Sequence, residues 1–176
     1  MQFLSYIYEK IKSGYLPTAE EYSDIDPDNY FDILAWHPYP PDSAKFLEAN
    51  KKMYQVAIDN GDEGKPVFLT EFGFSDRRFG GDSAERDTEG IQKNIADLAT
   101  ETLNIIKKEL PFVETAFMFR LSNVAEYYRI GSDENSFGLF YSPNDTEEWA
   151  GKPKPIAIEL YKYFNGENSD TSILYK

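Results

Sequence analysis

The sequence predicts an α/β domain assembled from parallel βα units. Strand, loop and helix patterns follow one another three times, and the strand segments are continuous apolar runs, not alternating ones. At 176 residues the chain is long enough for one domain with a substantial core.

Phe3, Leu4, Ile7, Tyr8 and Ile11 mark one face of a first helix that stops at Gly14. The acidic connector Asp24-Ile25-Asp26-Pro27-Asp28 opens like a calcium loop. The position that needs the sharp-turn glycine is Asn29, however, and the twelfth is Ala35, not Glu, so it reads as a solvated loop. FDILAW, from Phe31 to Trp36, is a short strand closed by the rigid His37-Pro38-Tyr39-Pro40-Pro41. Ser43 is placed to cap a second helix through Phe46, Leu47, Met53, Tyr54 and Ile58, with Gly61 as its stop.

PVFLTEFGF is the second strand. A polar loop from Ser75 to Asp82 leads into a third helix, where Ile91, Ile95, Leu98, Leu103 and Ile106 recur at helical spacing until Pro111. ETAFMFRL is expected to be a third buried strand. A long loop, Ser122 to Gly138, then runs to GLFY and NDTEEWAGKPKP, and a helix from Ile156 to Phe164 completes the order. No repeat, low-complexity segment or linker divides the chain, so residues 1–176 read as one domain.

Composition narrows the function. Aromatics make up 16% of the residues, too many for a disordered acidic tail. A formal charge of -13 repels phosphate backbones and anionic lipid, which argues against nucleic acid and membrane partners and leaves neutral, hydroxyl-rich ligands. Without cysteine there is no disulfide, thiolate catalysis or Cys-based zinc site, and the compartment stays open. A single histidine, His37, excludes a multi-His metal centre within one chain. No apolar run approaches the roughly 18 residues that span a bilayer. The N-terminal stretch is periodic and charged, an amphipathic helix rather than a signal peptide.

Glu71 is the residue that needs explaining. It ends an apolar run, and burying a lone carboxylate costs several kcal/mol unless it is paired. Three strand ends carry polar groups: Trp36-His37-Pro38-Tyr39, Glu71, and Arg120 with Asn123. In βα barrels such ends gather on one rim, so His37, Tyr39 and Arg120 are expected to converge on Glu71. Each has an ordinary structural reading as well: Glu71 as a hydrogen-bond acceptor, His37 as a satisfied histidine, Arg120 as a counter-charge. Trp149 and the Tyr127-Tyr128 pair could equally be packing under the long loop. The coincidence of position favours function.

FDILAWHPYP, KPVFLTEFGFSD, and ETAFMFRLSN followed by GLFYSPNDTEEWAGKPKPIAIELYKYF resemble the last three units of a clan A glycoside hydrolase. These are the (β/α)8 TIM-barrel retaining glycosidases that include cellulase-like families. The resemblance covers nearly the whole chain and implies a partial barrel: about the last three βα units plus a preceding helix, the C-terminal half only. In that clan the sixth strand ends in a His-x-Tyr-like pair and the seventh in the nucleophilic Glu, positions matched by His37, Tyr39 and Glu71. The KPKP run before the last helix matches as well. The sequence departs from the clan at two points: it has no Asn-Glu dipeptide, the clan's acid/base signature, and Phe119-Arg120 stands where a Trp is common. A full barrel takes about 250 residues.

The mechanism this implies uses two carboxyl groups roughly 5–5.5 Å apart. Glu71 would be the nucleophile, oriented by Tyr39 and Arg120. His37 would contact a sugar hydroxyl or the missing acid, Asn123 would contact the sugar, and Trp36, Phe74 and Trp149 would stack on sugar faces, with core packing the alternative for Trp36 and Phe74. Asp76 reads better as a cap or an ion-pair partner of Arg77 or Arg78 than as the second carboxylate. No cofactor is implied. The expected partner is an oligosaccharide or polysaccharide, with a homo-oligomer or the missing N-terminal half of the barrel completing the fold. Two classes of function follow: the nucleophile-bearing half of a retaining O-glycosidase, inactive alone, or a non-catalytic carbohydrate-binding or self-associating module.

Overall fold

The computed structural model of the protein describes residues 2–14, 26–39, 41–80, 89–124 and 133–176. Helix α1 spans Gln2–Lys12, strand β1 Leu34–Trp36, helix α2 Ser43–Ile58 and strand β2 Val67–Phe72. A short helix α3, Asp76–Gly80, precedes helix α4, Glu89–Glu109; strand β3, Val113–Met118, and helix α5, Pro155–Asn165, follow. The strands form one parallel sheet in the order β1-β2-β3. The architecture is therefore mixed α/β with a small parallel sheet.

Several boundaries differ from the sequence expectation for identifiable reasons. Strand β1 has three residues, not six. The Phe31 carbonyl accepts a hydrogen bond from Lys65 Nζ, and the ladder begins only where Leu34 N meets Pro66 O at 3.0 Å. Helix α2 is capped by Asp42, not Ser43: the Asp42 carboxylate accepts from Lys45 N at 2.7 Å, leaving Ser43 inside the helix. The polar stretch after Ser75 starts as helix α3 instead of a loop. Asp24 and Ile25 of the acidic connector lie outside the described residues, as do Tyr127 and Tyr128; within the connector Asp26 caps a 3-10 turn over Pro27–Asn29.

The helices cover one face of the sheet. Leu34, Trp36, Val67, Leu69 and Phe72 bury against Tyr8, Phe46, Ala57 and Leu110, and a second cluster joins Phe74, Ile95, Ala96 and Ala99 to Ile156 and Leu160 of α5. Each large side chain fully buried this way contributes about 1.5–3 kcal/mol. The pairing places Ala35, Phe68 and Thr115 in one row across the other face. That face is thinly covered: Ile33 is 43% exposed, Phe117 54% and Leu121 71%. Strand β3, expected to be buried, has no fully buried residue: on its helix side Ala116 and Met118 line a cavity shared with Leu160 and Tyr161 of α5.

A register irregularity decides where Glu71 points. Leu69 pairs with Ala116 but Phe72 pairs with Met118, so β2 uses one residue more than β3 over that interval. In a regular strand, side chains two apart share a face, and Glu71 would join Val67 and Leu69 against the helices. The extra residue instead gives Phe72 the core position and leaves Glu71 half-buried on the rim. Bulges commonly re-aim a side chain in this way.

Candidate active site

The rim at the carboxyl ends of β1, β2 and β3 encloses a cavity of about 220 Å³ lined by Tyr39, Glu71, Arg78, Phe119, Glu134 and Phe137. Tyr39 comes from the segment after β1, and its Oη donates to Glu71 Oε2 at 2.6 Å. Burial first, then the Glu71 carboxylate, push the Tyr39 phenol well above its ordinary range, with Glu134 adding to the effect. The phenol stays protonated at any ordinary pH and acts as a fixed donor. The rings of Tyr39, Phe119 and Phe137 pack edge to face, with centroids 5.2 to 6.3 Å apart, and form an apolar wall.

Gly73 makes this convergence possible. A Cβ there would lie 2.4 Å from the Phe119 carbonyl oxygen, so only glycine lets the ends of β2 and β3 approach this closely. Phe119 N in turn donates to Phe72 O at 2.8 Å. Arg78 of α3 donates from Nη1 to the Tyr39 carbonyl at 2.6 Å, tying the segment after β1 to the segment after β2.

The sequence-derived candidates divide. Tyr39 and Glu71 meet in the cavity. Arg120 stands beside it, its guanidinium 5.7 Å from the Phe119 ring and its Nη1 3.3 Å from the Glu134 carbonyl, and it does not line the cavity. His37 lines a different cavity, with Phe3, Leu4 and Ile7 of α1. Trp36 is buried beneath the sheet and its indole donates to Asn50 Oδ1 at 2.8 Å. Asn123 is buried, accepting from Gly138 N and from Lys154 Nζ, both at 2.9 Å. Trp149 packs on Tyr141 at a centroid distance of 5.0 Å, away from the cavity lining. Phe74 belongs to the core between α4 and α5.

Two residues near the rim escaped sequence reading. Glu134, on a 3-10 turn over Asp133–Ser136, brings a second carboxylate to the cavity lining. Lys154 holds the rim together from below. It is completely buried and donates to Asp76 Oδ2 at 2.5 Å, Asn123 Oδ1 at 2.9 Å and Ser136 O at 3.1 Å. Asp76 thus pairs with Lys154, not with Arg77 or Arg78. Burial pushes its carboxyl up, opposed by the Lys154 charge and the Gln92 and Asn123 side chains. Ser75 and Ser136 share a hydrogen bond of 2.7 Å. The signal that could have found Lys154 is its place just before α5. A lysine there contributes no side-chain cap, where Ser, Thr, Asp or Asn is preferred.

The fold has a likeness among solved structures. It is similar to the crystal structure of a GH2 beta-galacturonidase from Eisenbergiella tayi bound to galacturonate, with a TM-score of 0.53 and 14% identity over 76% of this chain and 23% of that one. An active-site mutant of a Rhizomucor miehei beta-1,3-glucanosyltransferase, in complex with laminaritriose, gives a TM-score of 0.42 and 16% identity over 83% of this chain and 55% of that one. The second likeness is too slight to carry an argument, and the first speaks for the fold alone. The chain spans only part of either protein. No family model matches it, and no curated protein matches it in sequence. Among the described residues, no group of three or more His, Asp or Glu is placed to hold a metal ion.

Proposed function

We propose that the chain is the nucleophile-bearing part of a retaining O-glycoside hydrolase of clan A, its three strands being three of eight in a (β/α)8 barrel. The observation that carries this is the 2.6 Å hydrogen bond from Tyr39 to Glu71 at the carboxyl ends of adjacent parallel strands. A Glu71 oxygen bonds to the anomeric carbon as the bond to the leaving oxygen breaks, and water then releases the sugar from Glu71. Tyr39 keeps the attacking carboxylate oriented. The sheet face bearing Phe68, Thr115 and Phe117 becomes the inner wall of the barrel, and His37, Arg120, Asn123, Trp36 and Trp149 keep the positions described above. Ordinary glycosides need a proton on the leaving oxygen, a contribution of about 10²-fold or more, so the chain alone is expected to be inactive on them.

A dinitrophenyl fluoroglycoside tests the nucleophile separately, because its leaving group departs without a proton. Peptide mass analysis after incubation is expected to find the fluorosugar on Glu71, and none on the Glu71→Gln variant. Label on another carboxylate, or none, overturns the assignment.

A second reading, a self-associating module, is favoured by the same thinly covered face. With Ile33, Phe117 and Leu121 exposed and no further strand paired to β1 or β3 among the described residues, a second copy of the chain is the occupant that buries them. Light scattering during size-exclusion chromatography is expected to give twice the 20.3 kDa chain mass, and a monomer at high concentration would defeat this reading.

A further inference from the structure

The hydrogen-bonding inventory of the cavity says which sugar it suits. Of the polar groups on its described lining residues, the Tyr39 hydroxyl is already donating to Glu71, and Arg78 has given one N–H of Nη1 to the Tyr39 carbonyl and keeps its other N–H donors. Two carboxylates remain, Glu71 and Glu134, and an ionised carboxylate accepts hydrogen bonds and donates none. The Glu134 side chain is exposed at the rim and makes no hydrogen bond or ion pair with the described residues. Its position is nonetheless fixed through its backbone. Arg120 holds its carbonyl, Asn135 O accepts from Val124 N at 3.3 Å, and Ser136 is bonded to Ser75 and Lys154. Glu134 and Tyr39 line the same cavity, and the Glu134 charge adds a little to the burial and the Glu71 carboxylate that keep the phenol protonated.

Counted by lone pairs, the two carboxylates still offer more acceptor sites than Arg78 has N–H groups left, and among the described lining residues negative charges outnumber the positive one, Arg78. We propose that this cavity takes a sugar unit rich in donors, above all a hexosamine carrying a free ammonium. It turns away uronates, with Glu134 as the residue that sets the choice. The proposal rests on the reading of this cavity as a sugar site and deepens it. The ammonium and ring hydroxyls supply the donors that Glu71 and Glu134 lack, and the wall of Phe119, Phe137 and Tyr39 takes the apolar face of the ring. A uronate brings a third acceptor-only carboxylate and a like charge into a confined space, which electrostatic complementarity penalises. The chain's net charge of -13 acts in the same direction over longer range.

The test is equilibrium binding, independent of any covalent labelling. Glucosamine, glucose and glucuronate share one ring and differ in charge, so each is titrated into the 15N-labelled chain while the amides of residues 71, 119, 134 and 137 are followed. Glucosamine is expected to bind most tightly and glucuronate on the order of tenfold more weakly or worse. Glu134→Gln, at an exposed position whose side chain holds nothing else in place, is expected to erase most of that difference. Glucuronate binding as tightly as glucosamine, a preference that survives Glu134→Gln, or no shift at these amides with any of the three sugars would overturn the proposal. Failure of Glu71 to take the fluorosugar beside intact charge selection would instead remove only the nucleophile assignment.

Discussion

Two buried ionic clusters sit at opposite ends of β2, built from the same chemistry and closed to different degrees. Beyond the carboxyl end, Lys154 and Asp76 are 0% and 7% exposed at their side chains, and each of the lysine's three donors meets an acceptor. Before the amino end, Lys65 pairs with the buried Asp62 at 3.5 Å and with Asp28 at 3.0 Å, but the Asp28 side chain is 71% exposed. Tyr8 of α1 adds a 2.6 Å hydrogen bond to Asp62. The closed cluster fixes loops around the candidate site, whereas the open one latches a helix and a turn to the body of the domain. An ion pair sealed from water tolerates no missing partner; one with a wet side does.

The comparison breaks most sharply at Lys154. Lys154→Met leaves Asp76 as a buried carboxylate without its counter-charge, expected to cost about 3–5 kcal/mol in urea unfolding. Pairing it with Asp76→Leu is expected to recover most of that loss, because the uncompensated charge goes too. A double mutant no more stable than Lys154→Met would show that the cluster matters through shape and not charge. Next comes Gly138→Ala, whose Cβ would sit 2.2 Å from Asn123 N and 2.7 Å from Asn123 Oδ1. It should cost about 1–3 kcal/mol and displace the acceptor that Lys154 uses.

At the open cluster the effects shrink. Tyr8→Phe leaves Asp62 without its phenol donor, a loss of about 1–2 kcal/mol at neutral pH. It also has a pH signature. Burial, then Asp62, hold the Tyr8 proton on well above the ordinary phenol range, so the folded chain keeps a proton that the unfolded chain releases near pH 10. Stability contributed here is present below about pH 10 and falls as pH rises beyond it. Lys65 acts in the same window: burial works against its charge, but Asp28 and Asp62 outweigh it and raise the ammonium above its ordinary value. The alkaline fall in stability is therefore expected to be shallower in Tyr8→Phe than in the wild type, measured by unfolding between neutral pH and pH ~11. Equal slopes would refute the role given to Tyr8. Asp28→Asn, at the exposed partner, is expected to change stability by less than about 1 kcal/mol.

What could be read in advance follows the range over which each cause acts. The apolar runs and helix periodicities depend on neighbours in sequence, so the parallel βα order and the meeting of Glu71 with Tyr39 were legible. Strand β3 misled because a run such as ETAFMF looks the same whether one face is covered or two. The bulge that turns Glu71 to the rim left no local mark, since it depends on how β2 meets β3. Lys154 and Glu134 were missed for a related reason. Their roles come from segments far away in the chain: the missing cap at Lys154 marks the position as unusual without naming its partners, and a glutamate in a polar loop is locally unremarked. Trp36 and Asn123 stood at the right strand ends, but Asn50 in one case and Lys154 in the other had already claimed their polar atoms.

The reach of Lys154 along the chain also says something about the order of assembly. Its hydrogen bonds join it to residues 78, 31 and 18 positions away. Closing a longer loop costs more entropy, and contacts of this separation form slowly compared with a helix docking on the strand beside it. The Asp76 contact spans more chain than the strand pairs Leu34–Val67 and Val67–Val113, so the hub is expected to close after the βα units it joins and the rim that carries Glu71 to be finished last. Amides around 123 and 136 are then expected to exchange with solvent sooner than those of Val67 and Leu69, because what is completed last is also what opens first.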